Sequence, residues 1–264
     1  MPRARFWDWF ISMNAMDVCG AALRTHVAVV IPCYNAGERL LPVVLGAREF
    51  VDRVIVVDDG STDGAPKRLP ADTATILSFD VNRGKGFALL EGFRHAVSYV
   101  SVDCVAVMDA DGQHDPRELP RLYRVFLEQN ADLVIGARRF DLKHVPWRSR
   151  VGNTLSIAVV RRLLGQHIAD TQSGYRLHSR RFLEDVLRTV EGGRYETETE
   201  ILVKAVLQGY RVVCEPIQTL YETGNPTSHF RRFRDSVRIY RRLLRAVPKF
   251  RPGASPTSGK TDTH

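Results

Sequence analysis

The chain has 264 residues, of which 44% are hydrophobic and 26% are charged. These values are typical of a globular protein with a sizeable core, and the length fits one large α/β domain or two small ones. The sequence contains neither an apolar run of about 18 residues nor a secretory signal, so we expect a cytoplasmic protein without a membrane span. Its four cysteines form no CxxC pair, which favours a reducing compartment.

The net charge of +8 is concentrated near the carboxyl terminus. Residues 229–250 contain eight Lys or Arg and one acid, a net charge of +7, and residues 251–264 add one further positive charge. Residues 1–228 are therefore neutral as a group. Because most of the chain lacks a basic excess, the high isoelectric point does not indicate a surface that coats nucleic acid, and we expect no nucleic acid partner.

From residue 27 onward, segments with the character of strands alternate with segments of helical character. Strands are predicted at 27–32, 53–57, 73–79, 104–108 and 132–137, with helices that end near residues 50, 100 and 129. The rest of the chain is more helical, with helices predicted over 148–164, 179–190 and 197–208 and a strand over 211–217. This alternation predicts an α/β fold with a mostly parallel sheet and helices on both faces.

Polar loops follow four strands, each at the strand's carboxyl end. They read PCYNAGE (32–38), DDGSTDG (58–64), NRGKG (82–86) and DADGQHD (109–115). The carboxyl ends of parallel strands meet at one crevice, where open α/β sheets bind ligands. Acidic residues in such a crevice can bind ring N–H or ribose hydroxyl groups, and a lysine can neutralise phosphate. The crevice is therefore predicted to bind a nucleoside diphosphate, through Asp58, Asp59, Lys85, Asp109 and Asp111.

Asp109 and Asp111 follow directly after a buried strand-like run, CVAVM. Carboxylates at this spacing suit a divalent cation that keeps positions open for diphosphate oxygens. A simple turn is the alternative, because Asp and Gly are common in turns for local reasons. Other nucleotide motifs fit poorly, since NRGKG lacks the P-loop spacing and no GxGxxG opens a helix after the first strand.

Six ordered segments resemble the motifs of family 2 glycosyltransferases of the GT-A fold: VVIPCYNAGERL, VIVVDDGSTDG, NRGKGFALLEGF, VMDADGQHDP, DLVIGAR and DTQSGYRLHSR. Within that family, the chain is most similar to the polyprenyl-phosphate (dolichyl-phosphate) mannose or glucose synthases. The resemblance implies metal-dependent, inverting transfer of a hexosyl group from a UDP- or GDP-sugar to a lipid phosphate or another membrane-associated acceptor. Mg²⁺ or Mn²⁺ would be the cofactor. A catalytically silent sugar-nucleotide-binding or membrane-scaffold protein of the same fold is the alternative.

The resemblance also implies roles for the residues of the first three loops. Pro32, Tyr34 and Glu38 would line the nucleoside pocket. Asp59 would contact the base, and Lys85 would lie near the base or the ribose. The donor nucleotide is thus expected against these three loops.

Further along the chain, the resemblance implies a metal site and two anion-binding arginines. Asp109 and Asp111 would form the metal motif, with Gln113 as a further ligand or the holder of a water. Arg138 and Arg176 would face the diphosphate or an anionic acceptor. A solvated or helix-capping arginine is the alternative for Arg176, and the arginine that follows Arg138 competes for its role.

The glutamates of YETETEIL (195–202) raise the question of a general base. An inverting transfer to a hydroxyl requires a base within hydrogen-bond reach, whereas a phosphate acceptor is already anionic and needs none. The resemblance favours Glu198 and then Glu200, although the helix dipole also favours glutamates early in a helix. The predicted catalytic set is Asp111, Glu198 and Arg176.

Three further polar residues are weaker candidates. His114 follows the metal motif and would bind the metal or lie near the sugar, although a lone histidine in a loop is more often solvated. Asp170 and Gln172 of DTQSGYR would orient the acceptor side of the pocket.

Apolar residues at spacings of three or four between arginines predict a cationic amphipathic helix over 229–250. This helix would lie on the anionic cytosolic face of a membrane, or pack on the catalytic domain and gather an anionic acceptor. A packed helix with a solvated basic face is the plainer alternative. Ser228, His229 and Arg231 occupy the place of a basic segment of the family and would close over the site. The predicted organisation is an N-terminal extension (1–25), a catalytic domain (26–228), this helix (229–250) and a disordered tail (251–264).

Overall fold

The computed structural model describes residues 20–138, 168–194 and 196–218, together with Phe250. The predicted helix over 148–164 and the tail over 251–264 lie outside these residues. Ser228, His229 and Arg231 also lie outside them, as does the predicted basic helix apart from Phe250. Their assignments remain predictions.

Seven strands of the described residues form one sheet. They are β1 (Val27–Cys33), β2 (Arg53–Asp58), β3 (Thr75–Ser78), β4 (Cys104–Val107), β5 (Leu133–Arg138), β6 (Arg176–Ser179) and β7 (Val212–Ile217). Their order in the sheet is β3-β2-β1-β4-β6-β5-β7. Six run in one direction, and β6 is antiparallel to both of its neighbours, β4 and β5. The mostly parallel sheet expected from the sequence is therefore confirmed.

Five α-helices of the described residues flank this sheet, and residues 20–26 before β1 are also helical. The five are α1 (Leu40–Arg48), α2 (Lys85–Ser98), α3 (Leu119–Glu128), α4 (Arg180–Thr189) and α5 (Glu196–Leu207). Local capping explains where two segments begin. Ser179 Oγ accepts a hydrogen bond from Phe182 N at the start of α4, and the Asp115 carboxylate accepts one from Arg117 N at a 3₁₀ turn that opens with proline.

The core has two halves, one on each face of the sheet. Alternate residues of a strand point to opposite faces, so Val30 and Val57 pack with α2, α4 and α5. Val29 and Val56 pack with α1 and α3 on the other face. Strands covered on both faces read as continuous apolar runs, which is why β1 and β2 were recognisable in the sequence. The result is a three-layer α/β/α architecture.

Strand β6 was not expected from the sequence. Its four residues, RLHS, include an arginine and a histidine and show no apolar alternation, yet all four are buried. The strand exists because β4 and β5 supply hydrogen bonds on both of its sides. In the part of the chain that the structure describes, none of the helices could span a lipid bilayer.

Candidate active site

The loops after β1 and β2 form one side of the crevice, which we call the loop wall (residues 34–38 and 58–64). Asn35 N donates to Ser61 Oγ at 3.0 Å, and Thr62 N donates back to Asn35 Oδ1 at 2.8 Å. Gly37 N donates to Asp63 Oδ2 at 2.7 Å. Backbone-to-side-chain hydrogen bonds therefore join the two loops and give this side a defined shape.

Three residues predicted to line the nucleoside pocket belong to this side of the crevice. Pro32 is the penultimate residue of β1 and is half-buried. Tyr34 and Glu38 are exposed on the loop that follows. The structure brings them to one edge of the sheet, and their contact with a nucleoside stays a prediction.

Asp59 connects the end of β2 to the loop before α2. Its carboxylate accepts hydrogen bonds from Arg83 N at 2.7 Å, from Gly84 N at 2.9 Å and from Asn82 Nδ2 at 3.0 Å. Burial raises the pKa of Asp59 although the hydrogen bonds from Arg83 N and Gly84 N act to lower it. Both oxygens thus hold the loop that carries Lys85. The predicted contact with the base remains untested, whereas this positioning contact was not foreseen.

Lys85, Asp109 and Glu198 form a charged cluster at the centre of the crevice. Lys85 Nζ lies 2.7 Å from Asp109 Oδ1 and 3.1 Å from Glu198 Oε2. These residues come from the start of α2, from the loop after β4 and from the first turn of α5. The sequence predicted that Lys85 and Asp109 share one crevice, but nothing in it indicated the contact between Lys85 and Glu198.

The charges in this cluster stabilise one another. Burial acts to lower the pKa of Lys85, but the negative charges of Asp109 and then Glu198 outweigh it, so the pKa lies above its ordinary value. Burial acts to raise the pKa of Asp109, and the positive charge of Lys85 overcomes that effect and lowers the pKa to about 2. At neutral pH Lys85 is protonated and Asp109 is ionised.

Two glycines permit the close approach that builds the charged cluster. A Cβ atom on Gly174 would lie 2.8 Å from Asp109 Oδ2 and 3.2 Å from Lys85 Nζ. A Cβ atom on Gly86 would overlap the side chain of Thr197, so α2 and α5 can meet at their amino ends only because residue 86 has no side chain. Sequence reasoning did not single out either glycine for this role.

His114 is buried behind Asp109. Its Nδ1 accepts a hydrogen bond from Asp109 N at 3.0 Å, so the neutral ring carries its proton on Nε2, 3.9 Å from Asp109 Oδ2. The ring stacks on Tyr175, with ring centres 5.0 Å apart. Burial lowers the pKa of His114 although Asp109 and Asp111 act to raise it. The expectation that a lone loop histidine is solvated does not hold, and the ring instead supports the backbone of the loop.

Asp111 sits in a tight turn beside Asp109. Asp111 Oδ1 accepts a hydrogen bond from Gln113 N at 3.0 Å, so the turn proposed as an alternative to a metal site is present. Burial, followed by the charge of Asp109, raises the pKa of Asp111. The described residues contain no group of three His, Cys, Asp or Glu side chains arranged to hold a metal. A cation here would therefore take most of its ligands from water or substrate.

The carboxylates of Asp109 and Asp111 are suited to such a cation. Asp109 Oδ1 is buried, and its contact among the described residues is the ion pair with Lys85 Nζ at 2.7 Å. Hard cations bind carboxylate oxygens and leave positions for phosphate oxygens and water. Asp109 and Asp111 therefore fit a cation that is completed by a diphosphate.

Arg138 forms a forked ion pair with Asp170. Its Nε donates to Asp170 Oδ2 at 2.7 Å and its Nη2 donates to Asp170 Oδ1 at 3.1 Å. Gln172 N donates to the same carboxylate at 3.0 Å. Arg138, Asp170 and Gln172 thus come together at the end of β5 as a connected unit, and their predicted contacts with diphosphate or acceptor stay predictions.

Arg176 is 2% exposed, and its guanidinium donates to three backbone carbonyls. Nε bonds to Ser173 O at 2.8 Å, Nη2 to Thr171 O at 3.0 Å and Nη1 to Glu198 O at 2.7 Å. Burial lowers the pKa of Arg176. The arginine joins the loop before β6 to the first turn of α5. Burial therefore excludes the solvated arginine that was one alternative, and a contact with an anion remains a prediction.

A family model, glycosyl transferase family 2, matches residues 28–187. The chain belongs to this family. As a family 2 glycosyltransferase, it is similar to the polyprenol monophosphomannose synthase of Mycolicibacterium smegmatis, at 33% identity over 202 residues that cover 72% of this chain and 75% of the relative. It is also 33% identical to the undecaprenyl-phosphate mannosyltransferase of Micrococcus luteus over 204 residues, 73% of this chain and 82% of the relative.

The solved structures show the fold of this glycosyltransferase. The glucosyl-3-phosphoglycerate synthase of Mycobacterium tuberculosis, in complex with Mn²⁺, UDP and glucosyl-3-phosphoglycerate, superposes with a TM-score of 0.67 at 21% identity. The match covers 88% of this chain and 84% of that one. The GT-A fold predicted from the motifs is confirmed, as are the enzyme class and the similarity to polyprenyl-phosphate glycosyltransferases.

Proposed function

We propose that this glycosyltransferase moves a hexosyl group from a UDP- or GDP-sugar to a lipid phosphate or another membrane-associated acceptor, with inversion and with Mg²⁺ or Mn²⁺. The observation that carries the proposal is the charged cluster of Lys85, Asp109 and Glu198 at the carboxyl edge of the sheet, beside Asp111. Two relatives support the acceptor class, since one is named a polyprenol monophosphomannose synthase and the other an undecaprenyl-phosphate mannosyltransferase. The solved neighbour that binds Mn²⁺ and UDP supports the donor and the metal.

The acidic loop after β4 would hold the cation. Asp109 and Asp111 would supply carboxylate oxygens, and Gln113 would supply a further ligand or hold a water. When bound, the cation acts as a Lewis acid that offsets the negative charge on the departing nucleoside diphosphate. Lys85, protonated and fixed by two carboxylates, would present a second positive charge to the same groups.

If the acceptor is a phosphate, Glu198 would have an orienting role and would not remove a proton from the acceptor, because a phosphate already carries the attacking negative charge. Its ion pair with Lys85 suits this role, and Arg176 would keep the turn that carries Glu198 in place. With a hydroxyl acceptor, Glu198 is the carboxylate positioned to take the proton. Pro32, Tyr34, Glu38 and Asp59 would shape the nucleoside side of the site.

We also propose that the enzyme works at the cytosolic face of an anionic membrane. The net charge of +7 over residues 229–250 is suited to anionic lipid headgroups. His229 and Arg231 would close over the diphosphate or the acceptor.

A transfer assay with a matched substitution tests the function. The purified full chain is incubated with labelled UDP-glucose, UDP-N-acetylglucosamine or GDP-mannose, polyprenyl phosphate in detergent, and Mn²⁺ or a chelator, and label is counted in the organic phase. We expect Asp111→Asn or the chelator to lower the rate of transfer about 100-fold, because removing one preorganised charge contact at the leaving group lowers a rate by about this factor.

The control is Asp103→Asn. Asp103 precedes β4 at the opposite end from Asp109, is exposed and pairs with His26. This variant should transfer at the rate of the unmodified enzyme. Transfer that is unchanged by Asp111→Asn, or by the chelator, would contradict the proposal.

A further inference from the structure

His114 lies on the buried side of Asp109 and approaches it at two points. Its Nδ1 accepts a hydrogen bond from Asp109 N at 3.0 Å, and its Nε2 lies 3.9 Å from Asp109 Oδ2. The histidine side chain is only 7% exposed, whereas that of Asp109 is 28% exposed. A single buried ring therefore lies against both the backbone and the carboxylate of a residue that suits a cation.

The ring of His114 has no lone pair left for a metal ion. A neutral imidazole has one acceptor nitrogen and one N–H group. The acceptor, Nδ1, is occupied by the backbone N–H of Asp109, so the proton is on Nε2. In this arrangement His114 acts on a cation only through Asp109.

The carboxylate of Asp109 has one oxygen left for a cation. Oδ1 is buried and paired with Lys85 Nζ at 2.7 Å. The Nε2–H group of His114 lies beside the other oxygen, Oδ2, at a distance too long for a direct hydrogen bond. Polar groups that contact a metal ligand from outside fix its orientation and tune its affinity for the metal. His114 occupies such a place.

Tyr175 holds the His114 ring in its orientation. The two rings stack with their centres 5.0 Å apart and their planes 21° apart. Tyr175 is fully buried, and its carbonyl accepts a hydrogen bond from Gly136 N at 2.9 Å, which ties it to β5. The Tyr175 hydroxyl is buried without a hydrogen-bond partner among the described residues. The ring of Tyr175, and not its hydroxyl, is thus what supports His114.

We propose that His114 is a positioning residue that orients Asp109 for a divalent cation, with Tyr175 holding its ring in place. This inference rests on the metal requirement of the proposed function. The neutral ring adds no charge to the site, so it restrains the carboxylate without repelling the cation. The hydrogen bond to Asp109 N fixes the backbone from which that carboxylate extends.

Binding of Mn²⁺ by the full chain, without an acceptor, tests the inference. Mn²⁺ is titrated by calorimetry in the presence of UDP and, in a second series, of GDP. Three substitutions separate the contacts of the ring. His114→Phe keeps the stack and removes both nitrogens, His114→Asn offers an acceptor near Asp109 N, and His114→Gln offers an N–H group near Asp109 Oδ2.

The matched control is His178→Phe. His178 is also buried, and its ring stacks on Phe182 with the ring centres 6.3 Å apart. Its Nδ1 lies 3.4 Å from the backbone oxygen of Val105, and it belongs to β6, away from the acidic loop. The control therefore removes a buried, stacked histidine from the same domain and leaves Asp109 untouched. Thermal melting reports the stability of every variant.

We expect His114→Phe to bind Mn²⁺ about 30-fold more weakly, because loss of a group that contacts a metal ligand from outside lowers metal affinity by about 10- to 100-fold. His114→Asn and His114→Gln should each recover part of this loss. His178→Phe should bind Mn²⁺ within about twofold of the unmodified protein. Excess Mn²⁺ should restore transfer by His114→Phe, and the affinity for the nucleotide in the presence of a chelator should stay unchanged.

Two substitutions of Tyr175 test its supporting role. Tyr175→Phe keeps the ring and removes a hydroxyl without a partner, so the affinity for Mn²⁺ should stay the same. Tyr175→Leu removes the ring and should weaken Mn²⁺ binding about threefold, as expected for the loss of one stacked aromatic pair. Equal affinities for Mn²⁺ in these two variants would remove Tyr175 from the proposal.

Equal affinities for Mn²⁺ in His114→Phe and His178→Phe would overturn the inference. So would an equal loss of metal-free nucleotide binding in His114→Phe, since this would indicate a general disturbance of the crevice. If Mn²⁺ binding depends on Asp111 but not on His114, the inference fails and the proposed metal site stands. If it depends on His114 but polyprenyl phosphate is not glycosylated, the inference stands and the proposed acceptor fails. A chain that binds Mn²⁺ with neither nucleotide would overturn both.

Discussion

The loop wall and the charged cluster are two sides of one crevice, built by different forces. Hydrogen bonds between neighbouring loops hold the loop wall, and they join short polar residues such as Asn35, Ser61 and Asp63. Ionic contacts hold the charged cluster and join residues from three distant parts of the chain. Hydrogen bonds of this kind give shape at a modest net free energy, whereas half-buried charges are costly unless each keeps its partner. Damage to the charged cluster should therefore affect catalysis most.

Lys85→Met should have the largest effect. It leaves Asp109 and Glu198 close together without their shared positive charge, and breaking such a pair costs on the order of 3 kcal/mol. Transfer should fall about 100-fold at saturating donor. Measured kcat and the melting temperature check this, with the exposed Lys67→Met as control. A kcat within about tenfold of the unmodified enzyme would show that the ammonium group is dispensable.

Arg176→Met should have the second-largest effect. Three carbonyls would lose their donor, among them that of Glu198, at a cost of about 2 kcal/mol, and the turn of Glu198 would loosen. If Arg176 positions this turn, kcat should fall about tenfold, the KM for the sugar nucleotide should stay nearly constant, and Arg176→Lys should recover part of the loss.

The split between kcat and KM distinguishes positioning from anion binding by Arg176. A raised KM for donor or acceptor with an unchanged kcat would indicate direct contact with the anion, as the family resemblance implied. Steady-state kinetics for both substrates decide between the two.

Asp63→Ala should have the smallest effect. It removes the acceptor for Gly37 N and so one connection within the loop wall, at a cost of about 1 kcal/mol. Because the charged cluster is untouched, we expect the KM for the sugar nucleotide to rise about threefold with kcat unchanged. The exposed Asp80→Ala is the control. A fall in kcat instead would mean that the loop wall takes part in chemistry and that the two sides are not separable.

Much of the fold could be predicted from local patterns. The apolar runs of β1 and β2 and the helical spacing after Lys85 depend on residues close in sequence, and their elements appear where the patterns place them. The alternation of strands and helices also indicated that the polar loops share one edge. Strand β6 could not be predicted in this way, because its partners on β4 and β5, not its own residues, make RLHS a buried strand.

The sequence by itself determined which polar residues reach the crevice, since the carboxyl ends of parallel strands meet wherever that topology forms. Only the tertiary structure decided what those residues contact. Asp59 holds a loop, Arg176 binds carbonyls, and Lys85 pairs with a glutamate more than 100 residues away. Such contacts depend on helix packing and on the space left by Gly86 and Gly174, and no pattern of neighbouring residues encodes them.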